Sequence, residues 1–375
     1  MLVTRLQLRD FRNYRQATLE LPRGLSVVAG ANGAGKTNLL EAIYFGCSGR
    51  SPRTSNEREL VRRGAPVARV VVDARDEEAA ADHRLEVGLE PGEAKRLRTD
   101  GRTVDSLVAL LARPLVSIFL PERLELVKGG PAARRGHLDQ LVAALWPARA
   151  DTRGAYARAL TQRNALLARI RAGVAGPAAL DAWDAELTRL GIRLMQDRRE
   201  AVEGLIAPFV GLAGRLGLPG RAELRYRPRS AAADAEGLAM ELEKRRTADL
   251  ERGFTAHGPH RDELQLTLEG LSLRAYGSQG QQRTALLALL FAERELLAAR
   301  RGQPPLMLLD DVMSELDAER RNLLVSLLRS GGQAVVTSTE ADHVPGSDPG
   351  ELIWVESGAI VGGSAVRPAL AATGS

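Results

Sequence analysis

Short apolar runs alternate with polar residues over the first 115 positions, a pattern that is typical of strands. Residues 2–8 predict a strand with which residues 18–21 can pair, and residues 25–29 predict a short buried strand that ends at a glycine. A helix is predicted from residue 36 to about residue 45. Further strands are predicted at residues 67–74 and 84–89, and a hairpin with an Asp-Gly turn at residues 96–104.

Between about residues 131 and 246 the apolar positions recur every three or four residues, which predicts helices. Residues 173–177 are rich in turn formers and predict a bend between two antiparallel helices, whereas residues 219–235 have little pattern and predict a connector. This block therefore predicts a helical insertion, or arm. Its helices are predicted at residues 134–146, 155–171, 180–199 and 236–252.

An α/β pattern returns after residue 253. Residues 280–299 form one long helical segment that is apolar nearly all round, which predicts a buried helix. A hairpin is predicted at 264–274, and residues 306–309 and 333–337 are short, fully apolar strands of the parallel-sheet type. Residues 359–375 are rich in Ala, Gly and Pro and predict a frayed end. The fold class is therefore α/β, with an inserted helical arm.

Composition narrows the class of protein further. The chain has 375 residues, of which 44% are apolar, enough for a sizeable core, and its single cysteine excludes a disulfide framework. Neither a signal-like segment nor a run of about 20 apolar residues is present, so we expect a soluble, cytoplasmic protein without a membrane partner. The net charge of +5 is a mild indication of a polyanionic partner.

The segment after the strand at 25–29 has the chemistry of a phosphate-binding loop. Its strand–loop–helix context is the one that such loops require. Glycines let successive backbone N–H groups point inward, and the helix N-terminus adds a favourable partial charge. We expect Lys36 to reach the β- and γ-phosphates and the Thr37 hydroxyl to hold Mg²⁺. The loop is Gly30, Ala31, Asn32, Gly33, Ala34, Gly35, Lys36 and Thr37.

Two carboxylates follow the apolar strand at 306–309. Asp310 and Asp311 are expected at its C-terminal end, the edge at which ligands gather in such sheets. Asp310 is the candidate second ligand of Mg²⁺, and Asp311 is the candidate that polarises the attacking water. A strand that simply ends in two solvated carboxylates is the structural alternative.

A serine opens the long helix at 280–299. Ser278 has the position of an N-cap residue, and Gly280 and Gln281 follow it. Taken alone, this pattern means only a capped helix. The order of loop, capped helix, Asp-Asp strand and residues 314–317 is that of an ABC-type ATPase.

Several further segments make the chain resemble the RecF family of bacterial recombination mediators, which groups with SMC and Rad50 heads. They lie in the same order over most of the chain. The segments are residues 8–14, 119–122, 126–131, 134–139, 162–167, 257–262, 277–283 and 309–317.

The resemblance implies an ATPase head made of residues 1–118 and 253–375, with a helical arm of residues 119–252. It implies two ATP molecules sandwiched by a homodimer, in which Ser278 and Gly280 of one copy contact the γ-phosphate held by the other. Arg12, Asn13 and Gln281 are further candidates for nucleotide contact. The dimer would clamp DNA, with RecR as a partner and RecO in the same pathway.

Three departures from the ATPase pattern predict slow hydrolysis. Asp311 stands where a glutamate is usual, and is one methylene shorter. No histidine directly follows the strand at 333–337, and no glutamine stands at the usual loop position, where Glu122 and Ser117 are the neighbours. Whether the chain is a true enzyme, beyond a weak DNA-stimulated ATPase, is left open.

The predicted arm carries an excess of arginine, with 12 arginines against six acids over residues 134–199. A solvated face of Arg/Asp pairs and a DNA-binding face are both compatible with this composition. The resemblance favours sequence-independent contact with the DNA backbone. The candidates are Arg149, Arg153, Arg163, Arg169, Arg171, Arg189, Arg193, Arg198 and Arg199.

Two other functions compete with an ATP-gated DNA clamp. An ATPase subunit coupled to a membrane transporter would share the nucleotide motifs, but leaves the arginine-rich helices unexplained. A small-molecule kinase would have no use for residues 277–282 or 314–317.

Overall fold

The computed structural model describes residues 1–108, 110 and 113–363, and the predicted frayed end beyond residue 363 lies outside this range. The chain forms two compact units. Unit 1 comprises Met1–Arg123 and the chain from Leu297 onward, and unit 2 comprises Leu124–Leu296. The functional division into a head and an arm, with bounds at residues 118 and 252, stays a prediction.

Fifteen strands are assigned in the described part of the chain. They are β1 (Leu2–Phe11), β2 (Tyr14–Glu20), β3 (Leu25–Ala29), β4 (Ala68–Asp76), β5 (Ala81–Leu89), β6 (Arg96–Thr99), β7 (Arg102–Thr103), β8 (Val116–Phe119), β9 (Ala222–Arg227), β10 (Glu263–Leu268), β11 (Leu271–Ser272), β12 (Leu306–Leu309), β13 (Ala334–Ser338), β14 (Leu352–Glu356) and β15 (Ala359–Gly363).

The α-helices of the described residues fall mostly in unit 2. They are α1 (Lys36–Ser48), α2 (Glu125–Lys128), α3 (Pro131–Leu145), α4 (Ala150–Arg171), α5 (Leu180–Arg215), α6 (Ala235–Glu243), α7 (Arg246–Arg252), α8 (Leu273–Tyr276), α9 (Gln279–Arg301) and α10 (Ala318–Arg329).

Unit 1 contains a largely parallel sheet with the strand order β15-β14-β3-β13-β12-β8. All residues of β3, β12 and β13 are buried, as the continuous apolar runs predict for central parallel strands. Only β15 runs antiparallel to its neighbour. The carboxyl ends of β3, β13, β12 and β8 therefore meet at one edge of the sheet.

A second sheet of unit 1 is antiparallel and has the order β2-β1-β4-β5-β6-β7. One face alternates into the core, with Leu6, Leu8, Val70, Val72 and Leu85 all at most 3% exposed. The opposite face is polar and lies at the surface, as is common for antiparallel sheets. Helix α1 belongs to the same hydrophobic core through its buried apolar residues.

Unit 2 is mainly helical, with a three-stranded antiparallel sheet of order β11-β10-β9. Tyr156 and Ala159 of α4 pack with Leu187, Leu190 and Leu194 of α5. The turn predicted at residues 173–177 indeed lies between these two helices. The apolar segment at residues 285–292 is buried all round within α9, as predicted.

The mixed α/β class is confirmed, but three local predictions were wrong. The supposed connector at 219–235 contains β9, which pairs with β10 and has too short a pattern to be distinguished from a loop. Residues 236–252 form two helices, α6 and α7, instead of one. Residues 359–363 form β15, a strand whose glycines weaken any sequence signal.

Candidate nucleotide site

Four parallel strands of unit 1 each end in polar residues at the same sheet edge. The loop of residues 30–37 follows β3, and Thr337 lies at the end of β13. Asp310 and Asp311 follow β12, and Glu122 lies just after β8. Such an edge is where open α/β sheets bind their ligands. The topology thus assembles a site from residues that are remote in the sequence.

Glycine is required in the loop by close approach of neighbouring backbone and side chains. A Cβ at Gly30 would lie 2.2 Å from the Val355 carbonyl oxygen, and one at Gly35 would lie 2.6 Å from Asn13 Nδ2. Gly33 has φ +80° and open space where a Cβ would be. The loop therefore packs tightly on its inner side and leaves its outer side accessible to a ligand.

The loop is anchored from below by polar contacts that converge on its last residues. The Ala34 carbonyl oxygen accepts hydrogen bonds from Asn13 Nδ2 (3.1 Å) and from the Gly358 N–H (2.8 Å). The Tyr14 hydroxyl donates to the Gly35 carbonyl oxygen at 3.0 Å, and burial raises the pKa of Tyr14. These bonds hold the loop in shape through its carbonyl oxygens.

Lys36 is folded back onto the loop that it follows. Its Nζ donates to the carbonyl oxygens of Gly30 (2.7 Å) and Ala31 (3.0 Å), and the residue is 8% exposed. Burial lowers the pKa of Lys36, whereas the nearby carboxylates of Asp311 and Asp310 act in the opposite direction. The ammonium group therefore lies in the loop itself, under the electrostatic influence of both acids.

Asp310 accepts hydrogen bonds from two threonines. The Thr37 hydroxyl donates to its carboxylate, with oxygen–oxygen distances of 2.9 and 2.8 Å, and the Thr337 hydroxyl donates at 2.7 Å. The residue is 7% exposed, and burial raises the pKa of its carboxyl group, an effect that the two threonine bonds oppose. A buried carboxylate in such a setting suits a cation ligand.

Asp311 adopts the left-handed backbone conformation, with φ 45°, which is costly for a residue other than glycine. Its N–H donates to Thr337 Oγ1 at 2.9 Å, and its carbonyl oxygen accepts from Ser314 Oγ at 3.0 Å. One carboxylate oxygen, Oδ1, is buried without a hydrogen-bond partner among the described residues. The strained backbone thus presents an acceptor that a water or ligand can use.

An ion-pair network borders the loop on α1. Glu41 is fully buried and accepts two hydrogen bonds of 2.8 Å from Arg12, one to each carboxylate oxygen. Arg53 donates to Glu41 (3.3 Å), to Asn38 Oδ1 (3.0 Å) and to Glu122 (3.3 Å). Arg53 therefore joins the residue after Thr37 to the carboxylate that follows β8.

Ser278 caps α9 in a reciprocal arrangement within unit 2. The Gln281 N–H donates to Ser278 Oγ (3.2 Å), and the Ser278 N–H donates to Gln281 Oε1 (2.8 Å). This is a capping box, and it confirms the predicted N-cap. Gly280 is exposed, with no heavy atom within 4 Å of the position that a Cβ would take. The start of the helix is therefore accessible.

The predicted residues of unit 1 gather around one loop. Asn13 contacts the loop directly, Asp310 bonds to Thr37, and Arg12 pairs with Glu41 on the helix that follows the loop. Ser278, Gly280 and Gln281 lie in unit 2. Sequence reasoning missed the roles of Tyr14, Glu41, Arg53 and Thr337. A signal existed for Glu41 alone, since an acid within the apolar segment at 39–43 needs a buried partner.

The donor set fits Mg²⁺ bound together with a nucleotide. Mg²⁺ prefers oxygen ligands and is usually held by one or two carboxylates plus substrate phosphates. Thr37 and Asp310 supply such oxygens side by side, and Asp311 adds an acceptor that has no partner within the described part of the chain. No group of three or more His, Cys, Asp or Glu side chains suited to a metal occurs among the described residues.

Two of the nine arginines named as candidates for DNA contact are buried in ion pairs, so the prediction was wrong for these two. Arg163 is 0% exposed and pairs with Asp184 and Asp249, and Arg198 is 2% exposed and pairs with Asp139 and Asp262. Three further candidates form ion pairs nearer the surface, namely Arg149, Arg153 and Arg189. Burial could not be deduced from composition.

Within residues 1–108, 110 and 113–363, no helix has the length and hydrophobicity needed to span a bilayer.

Comparison with known proteins identifies the family. The model of the RecF/RecN/SMC N-terminal domain matches residues 2–355. A protein of Myxococcus xanthus named DNA replication and repair protein RecF is 40% identical over 372 residues, covering 95% of each chain. The protein of the same name from Acidothermus cellulolyticus is 39% identical over 351 residues, covering 90% of this chain and 94% of that one.

Solved structures show the same likeness. A structure of the recombination mediator protein RecF-ATP in the RecFOR pathway has a TM-score of 0.87 at 30% identity, covering 96% of this chain and 97% of that one. An Smc head bound to the C-winged helix domain of ScpA has a TM-score of 0.59 at 16% identity and 96% coverage of both chains, and shares the fold alone. This chain belongs to the RecF family, within the wider group of RecF, RecN and SMC proteins.

Proposed function

We propose that this protein is an ATP-dependent DNA-binding protein of recombinational DNA repair and replication restart. In this proposal an ATP-bound dimer clamps DNA at gaps or junctions, helps to load a recombinase, and releases the DNA on slow hydrolysis. Relatives named DNA replication and repair protein and a related structure with ATP support it. Membership of this family favours the DNA-repair interpretation over a transporter-coupled ATPase.

The observation that carries the proposal is the convergence at the strand ends of unit 1. The hydroxyl of Thr37, the carboxylate of Asp310 and the hydroxyl of Thr337 form one chain of hydrogen bonds beside the glycine loop. Asp311 adds a carboxylate oxygen that no residue in the described ranges binds. Phosphate donors, cation ligands and a candidate base therefore occur together, as nucleotide hydrolysis requires.

ATP would bind with its phosphates on the loop of residues 30–37. Lys36 would exchange the carbonyl oxygens of Gly30 and Ala31 for phosphate oxygens, a stronger pairing because both partners then carry charge. Thr37 and Asp310 would hold Mg²⁺. The ion supplies positive charge that neutralises the phosphates and the charge that develops during hydrolysis.

Asp311 would polarise the attacking water through its carboxylate. Its backbone is held by hydrogen bonds to Thr337 and Ser314, and these bonds fix the direction of the side chain. An aspartate reaches less far than a glutamate, and Thr337 stands near the position of the usual histidine. Both features support slow turnover, suited to a switch instead of a metabolic enzyme.

The second copy of the chain would complete the site with Ser278 and Gly280. Both residues are exposed, and the Ser278 hydroxyl keeps its hydrogen available because its oxygen only accepts the Gln281 N–H. Bonds to the γ-phosphate would exist with ATP and be lost with ADP. Differential affinity of this kind is what shifts a monomer–dimer equilibrium.

RecR is the expected partner of the DNA-bound protein, and RecO is expected to act in the same pathway. The support is a family relative described in the RecFOR pathway. Binding should follow the DNA backbone rather than the bases, because few aromatic residues are present for stacking: 4% of the chain is Phe, Trp or Tyr.

Gel filtration with light scattering tests the proposal most directly. The mass should double with ATP and Mg²⁺ and stay that of one chain with ADP or without nucleotide. Retention on immobilised duplex and single-stranded DNA should follow the same nucleotide dependence. A protein that stays monomeric with ATP, or that holds DNA equally well without nucleotide, would contradict the proposed clamp.

A further inference from the structure

The polar face of the antiparallel sheet in unit 1 carries an unusual row of side chains. The strand register places Gln16 of β2, Arg9 of β1, Arg69 of β4, Gly88 of β5 and Arg96 of β6 side by side. Neighbouring strands are about 4.8 Å apart, so Arg9 and Arg96 lie roughly 14 Å apart across the sheet. No acid interrupts this row.

The acids of this face lie elsewhere and are largely paired. Asp73 pairs with Arg84, and Glu86 pairs with both Arg69 and Arg84. At the end of β1, Asp10 pairs with Arg62. The acids therefore neutralise only some of the arginines, and the face keeps a positive charge.

Three arginines beside or within the row form no ion pair with any described residue. Arg9 and Arg15 lie at the end of the sheet near the β1–β2 turn, and Arg98 lies on β6, two residues after Arg96. All three are exposed. By contrast, Arg163 and Arg198 of the helical unit form ion pairs with buried aspartates. An exposed arginine without a partner is available for an external anion.

The face is also concave. An open hollow of about 520 Å³ is bordered by Arg9, Arg15, Arg62, Arg69 and Arg84. A second hollow, of about 220 Å³, is bordered by Arg69, Arg96 and Arg98, and also by Glu86 and Glu90, which pair with Arg69 and Arg96. Arg69 borders both, so the two hollows make one trough, rimmed largely by arginines, across the five strands β2, β1, β4, β5 and β6. Concave basic surfaces raise the local concentration of anions.

We propose that this trough is a docking surface for the phosphate backbone of DNA, with Arg9, Arg15, Arg69, Arg96 and Arg98 as the contacting residues. The inference rests on the proposed DNA binding and assigns it to the sheet of unit 1 in place of the helical arm. Guanidinium groups favour phosphate because their donors match two phosphate oxygens at once.

A nucleic-acid backbone fits the row better than an acidic protein segment does. B-form DNA carries one phosphate per strand for each 3.4 Å of its axis, so the roughly 14 Å row spans about four nucleotides. The trough offers no large aromatic side chain for base stacking among the residues that border it. Contacts should therefore be to phosphate, and the binding should be independent of sequence.

The trough is linked to the nucleotide site by a short piece of chain. Arg9 lies three residues before Arg12, whose guanidinium bonds to Glu41 on the helix that begins at Lys36. Asp10 and Arg12 both adopt the left-handed conformation, with φ 50°. The turn at residues 10–12 therefore connects the strand that carries Arg9 to the helix that follows the loop of residues 30–37.

Two matched double variants of the full-length protein test the assignment. Arg9→Gln with Arg98→Gln removes two trough charges without breaking an ion pair between described residues. Arg193→Gln with Arg199→Gln removes two exposed arginines of α5. DNA affinity is measured by fluorescence anisotropy with ATP and Mg²⁺ on labelled duplex and single strands at several salt concentrations.

The trough variant should bind duplex DNA more weakly than the parent. The slope of log affinity against log salt concentration should become shallower by about 1.8, because each of the two lost phosphate contacts contributes about 0.9. The α5 variant should keep the parental slope. Restoring charge with Arg9→Lys and Arg98→Lys should recover most of the slope. Dimer formation with ATP should be unchanged in the trough variant, which shows that it is folded.

An unchanged slope in the folded trough variant would overturn the assignment while leaving the proposed function intact. A reduced slope in the α5 variant, with a parental slope in the trough variant, would overturn the assignment and place the DNA contacts on the helical arm. A parent protein that binds no DNA with ATP would overturn both the assignment and the proposed function.

Discussion

Thr37 and Asp310 are 273 residues apart in the sequence, yet the hydroxyl of one donates to the carboxylate of the other at 2.8–2.9 Å. The contact is possible because β3, β13 and β12 are neighbouring parallel strands, so the loop after β3 and the acids after β12 lie at the same sheet edge. The bond places the hydroxyl oxygen of Thr37 and the carboxylate oxygens of Asp310 next to each other beside the loop. The two residues proposed to hold Mg²⁺ are thus already side by side.

Asp310→Asn should weaken the Mg²⁺-dependent part of ATP binding by at least tenfold, the lower end of losses seen for perturbed metal sites. The amide can still accept from Thr37 and Thr337, so the fold should persist, but the negative charge is lost. Titration of a fluorescent ATP analogue with and without Mg²⁺ measures the effect. Asp348→Asn, at an exposed position, is the control. Equal Mg²⁺ dependence in both variants would remove Asp310 from the ligand role.

Asp311→Asn should still form an ATP-dependent dimer but hydrolyse ATP more slowly, by about a hundredfold or more if the carboxylate acts as a general base. The asparagine keeps the size of the side chain, and the backbone bonds to Thr337 and Ser314 remain. Phosphate release measures turnover, and light scattering measures the dimer. Parental turnover in a variant that dimerises would show that another group activates the water.

Sequence patterns predict the strand–loop–helix at residues 25–45 because its signals are local. Glycine spacing, an apolar strand and a helix start all occur within about 20 positions, and each has a direct physical cause. The N-cap of α9 is predictable for the same reason, since Ser278 and Gln281 are three residues apart. Local signals of this kind can be recognised in the sequence without knowledge of the tertiary fold.

Contacts between remote segments could not be predicted in the same way. The bonds of Thr337 to Asp310 and of Arg53 to Glu122 depend on strand order, which no periodicity encodes. The burial of Arg163 against Asp249 depends on the packing of α4 with α7, 86 residues on. An arginine count therefore could not separate structural ion pairs from surface charge. The basic trough likewise emerges only from the register of five strands.

Ser278 offers a test of the second copy that separates the cap from the nucleotide contact. Ser278→Asp keeps a good N-cap residue, so α9 should remain stable, but it places a negative charge where the γ-phosphate is expected. The ATP-dependent dimer should be lost, while binding of ATP by the single chain should remain. Ser278→Arg should lose the dimer as well, by size. Gel filtration with ATP reports both results.

Dimer formation by either variant at the parental ATP concentration would show that this helix start does not complete the triphosphate site. Thermal unfolding of Ser278→Asp without nucleotide provides the check on folding. It should match the parent within about 1 kcal/mol, because the two residues cap helices about equally well.

Glu41→Gln should destabilise unit 1 markedly, because it leaves the guanidinium groups of Arg12 and Arg53 without their buried counter-charge. Breaking a buried pair on one side costs about 3 kcal/mol or more. Glu59→Gln is the matched control, since Glu59 is half exposed and lies 4.0 Å from the same Arg12. Its loss should cost less than about 1 kcal/mol. Urea unfolding followed by circular dichroism compares them, and equal midpoints would contradict a structural role for Glu41.

His260 should make unit 2 less stable in acid. Burial lowers its pKa to about 4, and the ring accepts from the Tyr156 hydroxyl (2.8 Å) while donating to the Thr255 carbonyl oxygen (3.0 Å). The unfolded chain binds a proton near the ordinary pKa of 6.5, so stability is full above this pH and falls as the pH drops towards 4. The loss at pH 4 is about 3 kcal/mol.

His260→Gln removes this titration, so the difference in unfolding free energy between parent and variant should narrow by about 3 kcal/mol from pH 7.5 to pH 4. Tryptophan fluorescence in a Trp354→Phe background follows unit 2 alone, because the remaining tryptophans, Trp146 and Trp183, both lie there. His83→Gln is the control: His83 lies in unit 1, which the two remaining tryptophans do not follow, so the difference should stay constant. A constant difference for His260→Gln would mean that the ring has the same pKa in the folded and the unfolded chain, and would contradict the lowering of its pKa by burial.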